Sequence, residues 1–193
     1  MDEETSSLSR LPNEANTDRF PELGIEEIKL VPIELYEKLK EIPVNKRKNI
    51  RIVVACTGGA ERSRIMGNIA KQMGFDVATI LNPAGYHKKY AVPVDELLEP
   101  STNAEFPDGK VKFSDFLDKP VDHIIVFTNE ILDSRGNVEV KDNYTNRMIN
   151  AISVGLYKSS ETKGQKPRGV TFIRVPATER QVQQVERLFR ADN

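Results

Sequence analysis

The chain has 193 residues, with 28 Lys plus Arg against 29 Asp plus Glu and a formal net charge of −1. A balance that close to neutral gives no electrostatic support for a nucleic-acid partner. No apolar run is long enough to cross a bilayer, so no membrane partner is expected.

The start M-D-E-E-T-S-S is acidic and polar, unlike a secretory signal. A cytoplasmic location is therefore expected, with the nucleus open for a eukaryotic chain and delivery into a host cell also open. Asn143-Tyr144-Thr145 fits the glycosylation acceptor pattern, which has no bearing without a signal peptide. One cysteine cannot form an internal disulfide and suits a reducing compartment. One cysteine and two histidines cannot make a zinc site from soft ligands alone, and neither a metal nor a cofactor is expected.

Residues 1–24 are rich in Ser, Asn, Glu and Pro and lack an apolar period, so a disordered tail is expected there, with one α/β domain over 25–193. After Pro32, the run I-E-L-Y-E-K-L-K-E-I puts Leu35, Leu39 and Ile42 on one helical face, and Pro43 ends the helix. Lys46, Arg47 and Lys48 read as a solvated turn in preference to a binding patch. I-R-I-V-V-A, residues 50–55, reads as a buried strand of a parallel sheet. C-T-G-G-A-E-R follows. A helix then starts near Ser63, with Ile65, Met66, Ile69 and Met73 on one face and Gly74 at its end. F-D-V-A-T-I-L, residues 75–81, is a second strand.

Residues 82–120 contain several prolines and a short helix around Val94 to Leu98. V-D-H-I-I-V-F, residues 121–127, is a third strand. Tyr144 to Tyr157 carries Met148, Ile152 and Leu156 at helical spacing, and 158–168 is a polar loop. G-V-T-F-I-R-V, residues 169–175, is a fourth strand. The last helix runs from Glu179 with Val182, Val185 and Leu188 inward, and Thr178 with Gln181 forms its capping box. The alternation predicts a three-layer α/β/α fold around a four-stranded parallel sheet. The glycine-containing loop then sits at the carboxyl end of the first strand, where open parallel sheets bind ligands.

That loop is Cys56-Thr57-Gly58-Gly59-Ala60-Glu61-Arg62-Ser63. Phosphate-ester hydrolysis needs a thiolate, a dense set of N–H donors and a well-fitted cation. Gly58 and Gly59 allow the backbone to fold into a cradle of inward N–H groups, made by Thr57, Gly58, Gly59, Ala60, Glu61 and Arg62. The following helix adds its positive end. Arg62 can grip two phosphate oxygens with a planar fork that Lys lacks. The same surroundings favour Cys56 as a thiolate. The Ser63 hydroxyl can donate to that sulfur when the intermediate breaks down. Given one cysteine, an Arg six places on followed by Ser or Thr arises by chance on the order of once in a hundred. The bland alternative is a buried small cysteine ending a strand.

C-x-x-x-x-x-R-S between a strand and a helix resembles the signature of cysteine-based protein tyrosine phosphatases. Its place near the first strand resembles the low-molecular-weight branch, and within it the RNA polymerase II C-terminal-domain phosphatases. R-S-R-I-M-G-N-I-A-K-Q-M-G-F-D-V, N-P-A-G-Y-H-K-K and V-D-H-I-I-V-F-T-N-E carry the resemblance outside the loop. It covers residues 50–190 in outline, and only the loop is specific. It implies a four-stranded parallel sheet, a phosphocysteine intermediate and a phosphorylated protein or phosphate monoester as substrate, handled by a monomer.

Two departures stand out. Low-molecular-weight members carry a second cysteine in the loop, and this chain does not. They also have an Asp after the last strand that protonates the leaving oxygen, whereas residues 175–180 read V-P-A-T-E-R. Glu179 is the nearest carboxylate, and a Glu in the first turn of a helix is also an ordinary dipole partner. Asp133, Asp142 and Asp115 are further candidates. His123 reads as a structural strand residue. His87, in the loop after the second strand, reads either as a loop residue or as a substrate contact.

A phosphate-binding pseudophosphatase that lost its acid is the alternative to an active enzyme. A cysteine phosphocarrier is disfavoured by Arg62, and arsenate reduction by the lack of further cysteines.

Overall fold

The computed structural model describes residues 25–56, 61–80, 97–100, 111–112, 120–142, 152 and 170–193. A seven-stranded sheet has the order β1 (Ile25–Lys29), β9 (Val170–Pro176), β6 (His123–Thr128), β2 (Arg51–Cys56), β3 (Asp76–Ile80), β4 (Leu97–Pro100), β5 (Val111–Lys112). The first five in that order run parallel. β4 and β5 extend the far side antiparallel. A separate hairpin joins β7 (Ile131–Leu132) to β8 (Val138–Val140).

The four strands expected from β-branched runs are β2, β3, β6 and β9. The sheet is larger than those four because β1, β4 and β5 lack that signature. The short helix expected around Val94 to Leu98 is corrected in part. Leu97–Pro100 pairs with β3 as a strand, and residues 94–96 lie outside the described set. Pairing to an existing sheet edge overrides a weak local preference there. Of the expected helix over 144–157, Ile152 is described, helical and buried. The expected tail over 1–24 and the loop over 158–168 lie outside the described residues.

Four helices are described: α1 (Pro32–Glu41), α2 (Val44–Arg47), α3 (Glu61–Gln72) and α4 (Glu179–Asp192). Pro32 opens α1, and the Glu34 carboxylate accepts from the Val31 N–H at 2.9 Å. Leu35, Tyr36 and Leu39 of α1 join Met66, Ile69 and Met73 from α3 and its end. They cover Ile52, Val54, Cys56, Ile125, Phe127, Ile173 and Val175, which point to that face of the sheet. α3 ends where Gly74 takes φ +101°, and the Phe75 and Gly74 N–H groups bond back to Ala70 and Lys71. α4 begins with Thr178 accepting from the Gln181 N–H, while the Gln181 side chain accepts from the Thr178 N–H.

On α4 the inward residues are Val182, Val185 and Phe189. Leu188 is 46% exposed, a correction to its expected inward position. The period of 3.6 carries the stripe from 185 to 189 and leaves 188 at its edge. The far end of α4 is tied to α1 through Asp192, which accepts from Tyr36 Oη at 2.9 Å and Lys40 Nζ at 3.1 Å. Tyr36 also meets Phe189 edge-on at 6.4 Å.

Arg47 is likewise more than a solvated turn residue. Its guanidinium donates to the carbonyls of Ile42, Lys40 and Met73 at 2.8, 3.0 and 3.1 Å. It thus holds the end of α1 against the end of α3, satisfying carbonyls that helix ends leave open.

β2 lies between β3 and β6, so the chain leaves it to one side and later returns on the other. In a parallel sheet this reversal opens a crevice at the carboxyl end of the strand. Cys56 is the last residue of β2.

Candidate active site

Cys56 ends a strand that is buried on both faces, and it is itself 4% exposed. Its Sγ lies 3.2 Å from the Oγ of Ser63. Ser63 belongs to the first turn of α3 and is fully buried. The contact therefore places the sulfur against the end of the helix where N–H groups lack intrahelical partners and the dipole is positive.

Arg62 is 9% exposed. Its Nη1 donates to the Ala177 carbonyl at 2.8 Å and the Thr128 carbonyl at 3.0 Å. Those carbonyls come from the carboxyl ends of β9 and β6, the two strands next in order beyond β2. The Thr128 carbonyl also accepts from the Ala177 N–H at 3.3 Å, so the two strand ends are joined to each other as well as to Arg62. Both hydrogens on one guanidinium nitrogen are thereby engaged, which sets the plane of the group. A planar guanidinium is the side-chain group that can grip two phosphate oxygens at once.

The structure thus brings Cys56, Arg62 and Ser63 together at the carboxyl end of the sheet. Thr57, Gly58, Gly59 and Ala60, the expected cradle, lie outside the described residues. Glu61 opens α3 and is exposed. Glu179 is exposed in the first turn of α4, and its Oε1 accepts from Gln183 Nε2 at 2.9 Å, one turn along the same helix. Its side chain runs along the surface of α4.

Asp133 organises the β7–β8 turn. Its carboxylate accepts from Asn137 Nδ2, from the Asn137 N–H and from the Arg135 N–H, bonds that hold its pKa below the usual range, the Asn137 side chain most of all. Asp142 differs from both. It is 8% exposed, and its Oδ2 accepts from the N–H of Asn129, which directly follows β6. Phe127 of β6 pairs in register with Cys56, so Asp142 is attached two residues beyond the level of the sulfur. Asp115 and His87 lie outside the described residues. His123 begins β6 in register with Ile52, at the end of the sheet opposite Cys56. Burial pushes its pKa down, and its Nδ1 has no hydrogen-bond partner among the described residues.

Sequence reasoning passed over a buried ionic group beside the site. Arg174 of β9 is 2% exposed and makes a two-pronged pair with Glu130, Nε to Oε2 at 3.0 Å and Nη2 to Oε1 at 2.9 Å. Glu27 of β1 lies 3.5 Å from Arg174 Nη1. Burial raises the Glu27 pKa, more than the nearby Arg174 lowers it. The signal was present in G-V-T-F-I-R-V, because an Arg inside an otherwise buried strand requires a buried carboxylate somewhere.

An apolar groove of about 640 Å³ lies elsewhere, between the start of α1 and α4, lined by Val31, Pro32, Ile33, Val185 and Leu188 among others. It includes none of Cys56, Arg62 and Ser63. No helix among the described residues is long and apolar enough to cross a membrane. No group of His, Cys, Asp and Glu suited to a metal occurs among them.

No family model matches the chain, and no curated protein or solved structure is significantly similar to it.

Proposed function

We propose that this protein is a cysteine-dependent phosphatase that hydrolyses phosphoprotein monoesters, phosphotyrosine or phosphoserine, through a phosphocysteine intermediate. The observation that carries this reading is the contact of Cys56 Sγ with Ser63 Oγ, beside an arginine held by two strand ends. In the first step the Cys56 thiolate attacks phosphorus and the ester P–O bond breaks. The leaving oxygen takes a proton from a carboxylic acid. In the second step water attacks phosphorus and gives its proton to the carboxylate left by the first step, while the S–P bond breaks and its electron pair returns to sulfur. Ser63 donates to that sulfur as it departs. Arg62 follows the charge on the equatorial oxygens in both steps. Residues 57–60 are assigned to the phosphate-binding loop on their sequence and on the fixed positions of Cys56 and Glu61 at its two ends.

We also infer a three-layer fold. Val53, Ala55, Ile124, Val126 and Phe172 are buried, yet they stand outside the core that α1, α3 and α4 share with the sheet. Their face of the sheet therefore needs a second covering layer.

A phosphate-binding module without turnover is the second reading. It is favoured by Glu179, whose carboxylate is engaged along its own helix. The test is phosphate release from nitrophenyl phosphate by wild type and Cys56→Ser, with inorganic phosphate binding measured on both. Turnover lost in Cys56→Ser while binding persists supports the enzyme. Equal, negligible turnover in both with binding intact supports the module.

A further inference from the structure

We propose that Glu130, clamped by Arg174, is a positioning residue for Arg62 and acts through Thr128. The inference rests on the phosphatase reading and adds to it the group that aims the phosphate clamp. Two backbone carbonyls accept from Arg62 Nη1, and one of them belongs to Thr128 at the very end of β6. The peptide that carries this carbonyl is held at its oxygen by the Ala177 N–H and at its nitrogen by Asp142. The Thr128 hydroxyl adds a further restraint. It donates to Glu130 Oε2 at 3.2 Å and accepts from the Glu130 N–H at 3.4 Å, closing a tight loop over the peptide that carries the carbonyl.

The Glu130 carboxylate is in turn fixed by both prongs of Arg174, which is 2% exposed within β9. β9 also delivers the second carbonyl, that of Ala177, three residues after Arg174. One buried ion pair thus holds the ends of both strands that hold Arg62. A pair buried this deeply is weak evidence for stability, since an apolar replacement is often as stable. Its geometry has a consequence for the site: loosening it frees the Thr128 hydroxyl and so removes one restraint on the carbonyl that aims Arg62.

Replacing Thr128 separates the positioning role from a packing role. Val keeps the shape and loses the hydroxyl; Ser keeps the hydroxyl and loses the methyl group. The experiment is titration calorimetry of inorganic phosphate into the full chain at a temperature where each variant is folded. Thr128→Val should weaken phosphate binding about fivefold and Thr128→Ser should leave it near wild type, the size of one ordinary hydrogen bond acting at second hand. Glu130→Gln, which sets an amide N–H against Arg174, should weaken it about tenfold. It also decides the matter if Thr128→Val fails to fold. Wild-type binding with all three variants unchanged overturns the positioning role and leaves the phosphatase reading standing. Loss in Ser with retention in Val, or equal loss in both, overturns it in favour of packing. Absence of phosphate binding in the wild type overturns both.

Discussion

The sulfur of Cys56 and the hydroxyl of Ser63 stand 3.2 Å apart, joining the end of β2 to the first turn of α3. In the proposed chemistry this hydroxyl matters most when sulfur leaves phosphorus. Ser63→Ala should therefore slow breakdown of phosphocysteine more than its formation. A hydrogen bond to a charged group contributes about 1.5–3 kcal/mol, so turnover should fall roughly ten- to a hundredfold. The diagnostic is a burst of nitrophenolate equal to the enzyme concentration, followed by slow turnover. A fall in turnover without a burst would place the effect of Ser63 on the first step.

Arg62 serves two functions through one guanidinium. Lys at this position keeps the charge and can reach one of the carbonyls of Thr128 and Ala177, but it lacks the planar fork that grips several acceptors at once. Arg62→Lys should cut turnover by roughly a hundredfold or more. Near-normal turnover with Lys would show that no bidentate clamp operates here.

The four apolar strands and the helices α1, α3 and α4 were legible because their faces are built by the hydrophobic period alone. β1 was not. I-E-E-I-K has two apolar residues three apart, and its buried Glu27 is compensated by Arg174 from a strand far away in sequence. A pattern that counts Glu as polar and outward cannot recover a strand whose inward residue is a carboxylate. Leu188 failed for a smaller reason, since a stripe through 182 and 185 continues equally to 188 or 189 until packing selects one. At the site, Cys56, Arg62 and Ser63 could be read from spacing. Thr128 and Ala177 could not, because they contribute backbone carbonyls, to which side-chain identity gives no clue.

The buried carboxylate on β1 should leave a mark on stability against pH. Burial raises the Glu27 pKa above its ordinary value of 4.5, so the folded protein resists its ionisation. Stability from this group is fully present below 4.5 and is lost as pH rises through the folded value. Glu27→Gln removes that loss. The melting temperature of Glu27→Gln relative to wild type should therefore climb between about pH 4 and neutrality. His123 works in the opposite sense. Burial lowers its pKa from 6.5, so its contribution is complete above that value and is lost as pH falls through the folded one. His123→Gln should be relatively more stable in acid than at neutral pH. A difference between variant and wild type that is flat with pH in either case would show that the group titrates alike in the folded and unfolded chain.

Two of the four candidate donors of the leaving-group proton, Glu179 and Asp142, adjoin the carbonyls that hold Arg62, and their surroundings differ. Glu179 is exposed, bonded to Gln183, and lies two residues after the Ala177 carbonyl that holds Arg62. Asp142 is buried and attached to the N–H of Asn129, just past the Thr128 carbonyl that holds Arg62 from the other side. The demand for an acid depends on the leaving group. An alkoxide such as serine's needs the proton most, and nitrophenolate needs it least. Loss of the true donor should therefore cut phosphopeptide turnover about a hundredfold or more while sparing the activated ester, and should remove the basic limb of the pH–rate profile. If Glu179 fills the role, Glu179→Gln shows this pattern. If it serves only its helix, the substitution costs about 1 kcal/mol of stability or less and leaves the ratio of the two activities unchanged. Asp142→Asn makes the same comparison from the β6 side. It is the more disruptive change to the fold, because a buried acceptor becomes an amide that can turn an N–H toward Asn129. Its ratio must therefore be taken at a temperature where the variant is folded. If both ratios stay at the wild-type value, the role passes to Asp133 and Asp115; if no carboxylate substitution alters the ratio and the phosphopeptide itself is not turned over, the phosphate-binding module becomes the better description, with Arg62 holding a phosphorylated partner.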